Sequence, residues 1–145
     1  MLRIGARSFL FLAAWVFVMS VQAATPHVPA SSDADYRAIV AQAAETVERT
    51  LGKPAALDVR QLQTLEGWAF LRAQINSPGG QPIDYGGTPY ADSQQNGSIS
   101  KTYVALLQKQ GDAWRIAVDR IGPTDVIWET WSKDYGAPAA LFDTP

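Results

Sequence analysis

The chain has 145 residues, no cysteine, a hydrophobic fraction of 47% and a formal net charge of -2. This composition excludes a disordered chain and a bundle of membrane helices, and the lack of cysteine excludes disulfide bonds, thiolate metal sites and a cysteine nucleophile. We expect one domain without cross-links, because disulfides or metals become necessary mainly below about 40 residues.

The N-terminal segment, residues 1–23, has the pattern of an export signal. Two arginines, Arg3 and Arg7, precede an apolar stretch at residues 9–19, and Val21 and Ala23 form a small-x-small cleavage motif. The apolar stretch is shorter than the roughly 20 residues of a membrane-spanning helix. The pattern therefore predicts cleavage after Ala23, a periplasmic or secreted location, and no stable membrane span in the mature chain.

Cleavage changes the charge of the protein. Loss of Arg3 and Arg7 lowers Lys+Arg from 12 to 10 against 14 Asp and Glu, so the mature chain has a formal charge of -4. A nucleic-acid partner is not expected, because binding to phosphates requires clustered Lys and Arg.

A polar linker is predicted at residues 24–32, before a single domain at residues 33–145. The linker contains the only histidine, His27. Because a catalytic or metal-bound imidazole needs partners held around it, and chain ends are rarely ordered, we expect the His27 side chain to be solvated.

An amphipathic helix is predicted from Asp33 to Leu51. Ser32 is the expected N-cap, and Gly52 and Pro54 are expected to end the helix. Its apolar positions follow the i, i+3, i+4, i+7 pattern of a helix that buries one face: Tyr36, Ile39, Val40, Ala43, Val47 and Leu51.

Four strands are predicted after this helix, as two hairpins. Residues 57–65 and 68–76 form the first hairpin, and residues 102–109 and 113–121 form the second. In the second strand Trp68 and Phe70 alternate with further apolar residues, so both faces are apolar and the strand is expected to be central, with a helix on one face and the C-terminal segment on the other. In the fourth strand, simple alternation predicts that Trp114, Ile116 and Val118 share one face, with Trp114 in the core.

The segment between the hairpins, residues 77–98, has five glycines and three prolines. It lacks the context of a phosphate loop and the spacing of an EF-hand. Because long irregular loops are commonly functional and tyrosines on small-residue loops make good contact surfaces, we interpret it as a recognition loop without core residues. An elongated hairpin tip without a ligand is the alternative. The predicted binding residues are Asp84, Tyr85, Tyr90 and Asp92.

A short aromatic helix is predicted to begin at Pro123 and to bury Ile127, Trp128, Trp131 and Tyr135. Asp125 is expected in its first turn as a structural cap. The alternative hypothesis is that Asp125 and Glu129, four residues apart, bind a metal ion or act as an acid-base pair.

Three segments resemble a set of small exported bacterial proteins of uncharacterised function: GWAFLRAQ, YVALLQKQGDAWRI and IGPTDVIWETWSKDYGAP. The resemblance covers most of residues 66–141 apart from the loop. It implies a shared fold, a helix against a small antiparallel sheet, and no particular activity.

These features together predict an α+β domain, in the order α-β-β-β-β-α, with the N-terminal helix packed on a four-stranded antiparallel sheet. We expect a binding or inhibitory module of the cell envelope that recognises another envelope protein or a cell-wall component, with no catalytic residue, metal or cofactor. The alternative is an accessory enzyme or substrate-binding domain for cell-wall material that uses Asp119, Asp125 and Glu129. A purely structural envelope protein is a third possibility.

Overall fold

A computed structural model describes residues 22–144 of the chain. The predicted signal peptide lies outside this range except for Gln22 and Ala23, and cleavage after Ala23 stays a prediction. Within the described range, no helix combines the length and the hydropathy needed to cross a membrane.

Helix α1 spans Ala34–Leu51 and buries one narrow stripe of side chains, Ile39, Ala43, Val47 and Leu51. The stripe recurs every four residues, as expected of a helix that lies on a flat apolar surface. The helix ends where Gly52 adopts the left-handed conformation, with φ of 69°, and donates its N–H to the Glu48 carbonyl at 2.8 Å. Its N-cap is Asp33 rather than the predicted Ser32.

The predicted four-stranded antiparallel sheet is confirmed, with the strands in chain order. Each strand pairs with the next one along the chain, as in two hairpins joined by the long loop. The strand bounds are β1 Ala56–Leu65, β2 Trp68–Asn76, β3 Thr102–Gln110 and β4 Ala113–Ile121.

Both faces of the sheet pack against other elements, one of them only over part of its area, as the apolar alternation in β2 predicts. On one face α1 packs against Leu71, Ile75 and Leu107. On the other, Phe70 and Leu106 pack against Trp131 and Leu141 of the C-terminal segment. That segment consists of a 3₁₀ turn at Ile127–Thr130, a helix at Trp131–Tyr135 and a second 3₁₀ turn at Ala139–Phe142. A short helix, Ala91–Gln95, lies within the loop.

Two irregularities change which face the edge strands present. The pairing of β1 shifts between Val59 and Gln61, and the pairing of β4 shifts between the partners of Leu106 and Leu107. An extra residue in β4 reverses the alternation of its side chains. Val118 therefore pairs with Leu106 and packs with the side chains that contact the C-terminal segment. The expectation that Val118 shares a face with Trp114 and Ile116 is therefore wrong.

The segment predicted as a linker packs on the edge of β1. His27 and Thr64 exchange backbone hydrogen bonds of 2.8 Å in both directions, and Pro29 is buried. The His27 side chain is exposed. The backbone of this segment is therefore held on the domain although its imidazole faces solvent.

Asp35 joins the start of α1 to the β3–β4 hairpin. Its carboxylate accepts a hydrogen bond from Trp114 Nε1 at 3.0 Å and pairs with Lys109 Nζ at 3.1 Å. These two hydrogen bonds, from Trp114 first and Lys109 second, lower the pKa of Asp35 below its ordinary value. Trp114 is only 4% exposed, so its predicted place in the core is confirmed.

We expect acid to weaken this connection. A carboxyl group with a lowered pKa stabilises the folded state above its unfolded pKa, and that contribution is lost as the pH falls through the folded pKa. Asp35→Asn keeps an acceptor for Trp114 but cannot titrate. Denaturant unfolding at about pH 7 and about pH 3 should therefore show a smaller loss of stability in Asp35→Asn than in the wild type. Equal losses in the two proteins would contradict the prediction.

Candidate ligand-binding cleft

The loop predicted as a recognition surface contributes to the core. Ile83 and Tyr85 have exposures of 1% and 0%, and both belong to the cluster beneath α1. The Tyr85 hydroxyl donates a hydrogen bond to the Ser100 carbonyl at 2.8 Å, and burial raises the pKa of Tyr85 to about 12. The expectation that the loop lacks core residues is wrong, because its backbone folds back to place Tyr85 between the helix and the sheet.

Asp84 and Gln94 hold this loop in shape. Asp84 Oδ1 accepts hydrogen bonds from Gln94 Nε2 at 2.6 Å and from the Gly86 N–H at 2.9 Å. The bond from Gln94, followed by the one from Gly86, lowers the pKa of Asp84. Gln94 Oε1 accepts from the Tyr85 N–H at 2.9 Å. The Asp84 carboxylate is therefore used within the loop.

Of the other predicted binding residues, Tyr90 is half-buried and Asp92 is exposed. The Tyr90 ring lies 5.9 Å from the Tyr85 ring, between centroids, and so supports the buried tyrosine. Binding through Asp84, Tyr90 or Asp92 stays a prediction. Tyr85 has no exposed surface with which to contact a partner.

The three carboxylates of the alternative enzyme hypothesis do not meet in one cavity. Asp119 lies on the α1 face, lines a cavity with Tyr90, and accepts a hydrogen bond from the Tyr103 hydroxyl at 3.0 Å. Burial, reinforced by the Asp119 charge, raises the pKa of Tyr103. Asp125 lines a different cleft, and Glu129 is exposed. Within residues 22–144, no three His, Asp or Glu side chains are placed to share a metal ion.

Asp125 is not in the first turn of a helix, which corrects its predicted role as a cap there. The 3₁₀ turn begins only at Ile127, because Gly122 and Pro123 are still hydrogen-bonded to the chain at the start of β3, where Ser100 Oγ donates to the Pro123 carbonyl at 2.6 Å. Asp125 Oδ1 instead accepts a hydrogen bond from the N–H of the next residue, Val126, at 2.8 Å.

A cleft of about 570 Å³ lies on the face of the sheet that packs against the C-terminal segment. It forms because the C-terminal segment covers only the half of this face that carries Phe70 and Leu106. The uncovered half presents polar residues of the same strands, and the chain after β4 forms a wall beside them. The side chains that line the cleft include Arg60, Arg72, Thr102, Thr124, Asp125 and Trp128.

Three cationic residues border the cleft, and two of them are occupied elsewhere. Arg60 pairs with Asp58 at 2.7 Å. The Lys101 ammonium donates to Gln94 at 2.6 Å and lies 4.4 Å from the centre of the Tyr85 ring, against the loop. Both cations therefore have partners within the domain.

Arg72 is the third cation, and it differs from the other two. Its guanidinium lies 6.0 Å from the centre of the Trp128 ring, at the outer limit of a cation-π contact. It forms no ion pair with any residue between 22 and 144. A guanidinium offers five donors in a planar fork that matches a carboxylate, and a neighbouring indole provides an apolar surface. The cleft can therefore hold a ligand that carries an anionic group.

The sequence contains a signal for this site that was missed. Arg72 interrupts the apolar stretch WAFLRAQI of a central strand, on the same face as Trp68 and Phe70. A charged residue at such a position is uncommon unless it is paired or used, because desolvating the charge is unfavourable.

Comparisons with protein-family models, with curated proteins and with solved structures found no match to the chain.

Proposed function

We propose that the chain is an exported binding module of the cell envelope, and that it holds another envelope protein or a cell-wall component in the cleft beside Arg72 and Trp128. The observation that carries this proposal is the Arg72 guanidinium. It is half-buried on a sheet face beside an indole, and it has no carboxylate partner among residues 22–144.

The energetics of a half-buried arginine support a binding role. Partial removal of a guanidinium from water is unfavourable unless a partner compensates its charge. If position 72 had a purely structural role, an apolar residue would fit better there. Its neighbours Trp128 and Phe70 are aromatic and pack against each other, with ring centres 5.6 Å apart. Arg and Trp side chains are also enriched among the residues that dominate binding energy at interfaces.

The export signal and the charge of the mature chain support the location and the type of ligand. Residues 1–23 have the pattern of a cleaved signal, which supports a ligand outside the cytoplasm. The formal charge of -4 after cleavage disfavours long polyanions such as nucleic acids. A ligand with a local anionic group is compatible with this charge.

The alternative of a domain that acts on cell-wall material keeps one supporting observation, namely that Asp125 borders the same cleft as Arg72. An enzyme that hydrolyses glycosidic bonds commonly uses two carboxylates on either side of the scissile bond. Asp119 lies on the opposite face of the sheet, paired across from Ala105 of the cluster beneath α1, and Glu129 does not line the cleft, so neither stands beside Asp125 as the second carboxylate. Binding without chemistry is therefore the better-supported proposal.

The test is capture of a partner by the immobilised mature domain, residues 24–145, from an envelope extract of the producing organism. We expect Arg72→Ala and Trp128→Ala each to reduce the captured amount by at least about tenfold, since loss of a central Arg or Trp contact costs about 2 kcal/mol or more. Arg37→Ala, an exposed arginine on α1, is the matched control and should bind like the wild type. Equal capture by all three variants would exclude the cleft as the binding site.

A further inference from the structure

We infer that the cleft binds a short zwitterionic peptide or amino-acid group, with Arg72 holding its carboxylate and Asp125 holding its ammonium. The inference rests on the proposed function, because it takes the Arg72 cleft as the binding site. It adds the chemical class of the ligand and assigns a role to a carboxylate that the recognition of an anion alone leaves unused.

The first step concerns the charges that are left for a ligand. Arg60 is neutralised by Asp58 at 2.7 Å, and the Lys101 ammonium lies against Gln94 and the Tyr85 ring. One cation and one carboxylate without an ion-pair partner among residues 22–144 then border the cleft, namely Arg72 and Asp125. A ligand with one negative and one positive group matches this pair.

The second step compares other ligand classes. A phosphate or a polyanion prefers several clustered cations that are free to turn toward it, whereas among residues 22–144 at this cleft Arg60 is ion-paired and Lys101 is hydrogen-bonded to Gln94, which leaves Arg72. The hydroxyls of a neutral sugar would hydrogen-bond to Arg72 and Asp125 but would bring no opposite charge to either group, so a neutral sugar is a weaker match than a charged ligand. A ligand that carries both charges compensates the guanidinium and the carboxylate as it displaces their water.

The third step concerns the part of the ligand between its two charges. Asp125 Oδ1 already accepts a hydrogen bond from the Val126 N–H, and Oδ2 has no hydrogen bond to a residue between 22 and 144. The Trp128 ring and the 45% exposed Val126 supply an apolar wall. The hydroxyl-bearing Thr102 and Thr124 border the same space and offer hydrogen bonds to a peptide group. A small peptide with short apolar side chains uses all of these features.

The experiment is a titration of the ¹⁵N-labelled mature domain, followed by amide and indole chemical shifts in NMR. The probes are dialanine, N-acetyl-dialanine and dialanine amide, so that each blocked peptide lacks one of the two charges. We expect dialanine to move the signals of Arg72, Thr102 and the Trp128 indole. Each blocked form should bind at least about tenfold more weakly, as expected when a charged hydrogen-bonded pair loses one partner.

Two variants assign the two charges. Arg72→Gln should bind dialanine and its amide equally, and Asp125→Asn should bind dialanine and its N-acetyl form equally. Arg37→Gln should keep both preferences. The spectrum of each variant without peptide reports whether it is folded, and the comparison of the three peptides on the wild type decides the inference even if a variant does not fold.

Several results would overturn the inference. Equal binding of free and blocked peptides would remove the charge matching, and a stronger response to inorganic phosphate than to dialanine would identify a phosphate site. If dialanine leaves the cleft signals unmoved while Arg72→Ala still abolishes capture of an envelope partner, the ligand class is wrong and the proposed function stands. If neither dialanine nor capture depends on Arg72, both proposals fail.

Discussion

Gly122→Ala should lower the free energy of unfolding by about 2–5 kcal/mol, a large part of the roughly 5–15 kcal/mol that stabilises a domain. Gly122 has a φ of 68°, where a side chain is unfavourable. A Cβ at this position would overlap Ile99 Cγ1 and would lie 3.0 Å from the Ser100 carbonyl oxygen. Gly122 is also hydrogen-bonded on both sides, to Thr102 O at 2.7 Å and from Ser100 N at 3.1 Å, so its backbone cannot move away.

Thermal unfolding measures this effect, and a second glycine provides a matched control. Gly111, in the β3–β4 turn, has a φ of 61°, but no atom lies within 4 Å of the position that its Cβ would take. Gly111→Ala should therefore lose only the conformational part, about 1–2 kcal/mol. Gly122→Ala should cost less in an Ile99→Ala background than in the wild type, because the overlapping atoms are then absent. Equal destabilisation by the two glycine variants would show that crowding at Gly122 is not the cause.

Tyr85→Ala should destabilise the domain by about 3–5 kcal/mol, the range for removing a large aromatic side chain from a core. Its ring is fully buried beside Tyr90, and its hydroxyl satisfies the Ser100 carbonyl. Tyr85→Phe removes only the hydrogen bond and should cost about 1–3 kcal/mol, because an acceptor is then left unsatisfied. Replacement of residues 77–98 by a short glycine-rich turn should abolish cooperative folding, since Ile83 is lost together with Tyr85.

Denaturant unfolding of these variants is the measurement. Tyr135→Ala is the control, because Tyr135 is 40% exposed, contrary to its predicted burial, and its loss should cost about 1 kcal/mol or less. A folded and stable protein with the shortened loop would show that the buried tyrosine is dispensable. In that case the loop would again be available as a separate recognition surface.

The arrangement of Arg72 shows how a binding site arises on a sheet that is only partly covered. Strand β2 contributes Phe70 to the packing against the C-terminal segment and, two residues later, Arg72 to the cleft. The covered half stabilises the domain through contacts such as Phe70 with Phe142, whose ring centres are 5.1 Å apart. The uncovered half is then held rigidly by the same strands, which limits the entropy lost when a ligand binds.

Local periodicity was sufficient to predict α1, the four strands and the α+β class of this protein. The four-residue recurrence of Ile39, Ala43 and Val47 predicts α1, because a helix returns to the same face about every 3.6 residues. The apolar residues on both sides of β2 predict a central strand covered on two faces. These signals depend only on neighbours along the chain, so they can be read before any tertiary contact is known.

Only the tertiary structure decided which faces the edge strands present, that the loop between the hairpins is partly buried, and where the Arg72 cleft lies. The bulges in β1 and β4 each insert one residue, which reverses the alternation of side chains beyond it. In β4 this moves Val118 to the other face of the sheet, and nothing in the local composition indicates it. The burial of Tyr85 depends on space between α1 and the sheet, which residues far apart in sequence create. Asp119 and Asp125 are six positions apart yet lie at different cavities, and Arg72 meets Trp128 across the fold. Such contacts are set by long-range packing, so the local pattern marks Arg72 as an unusual residue in β2 but does not predict its contact with Trp128.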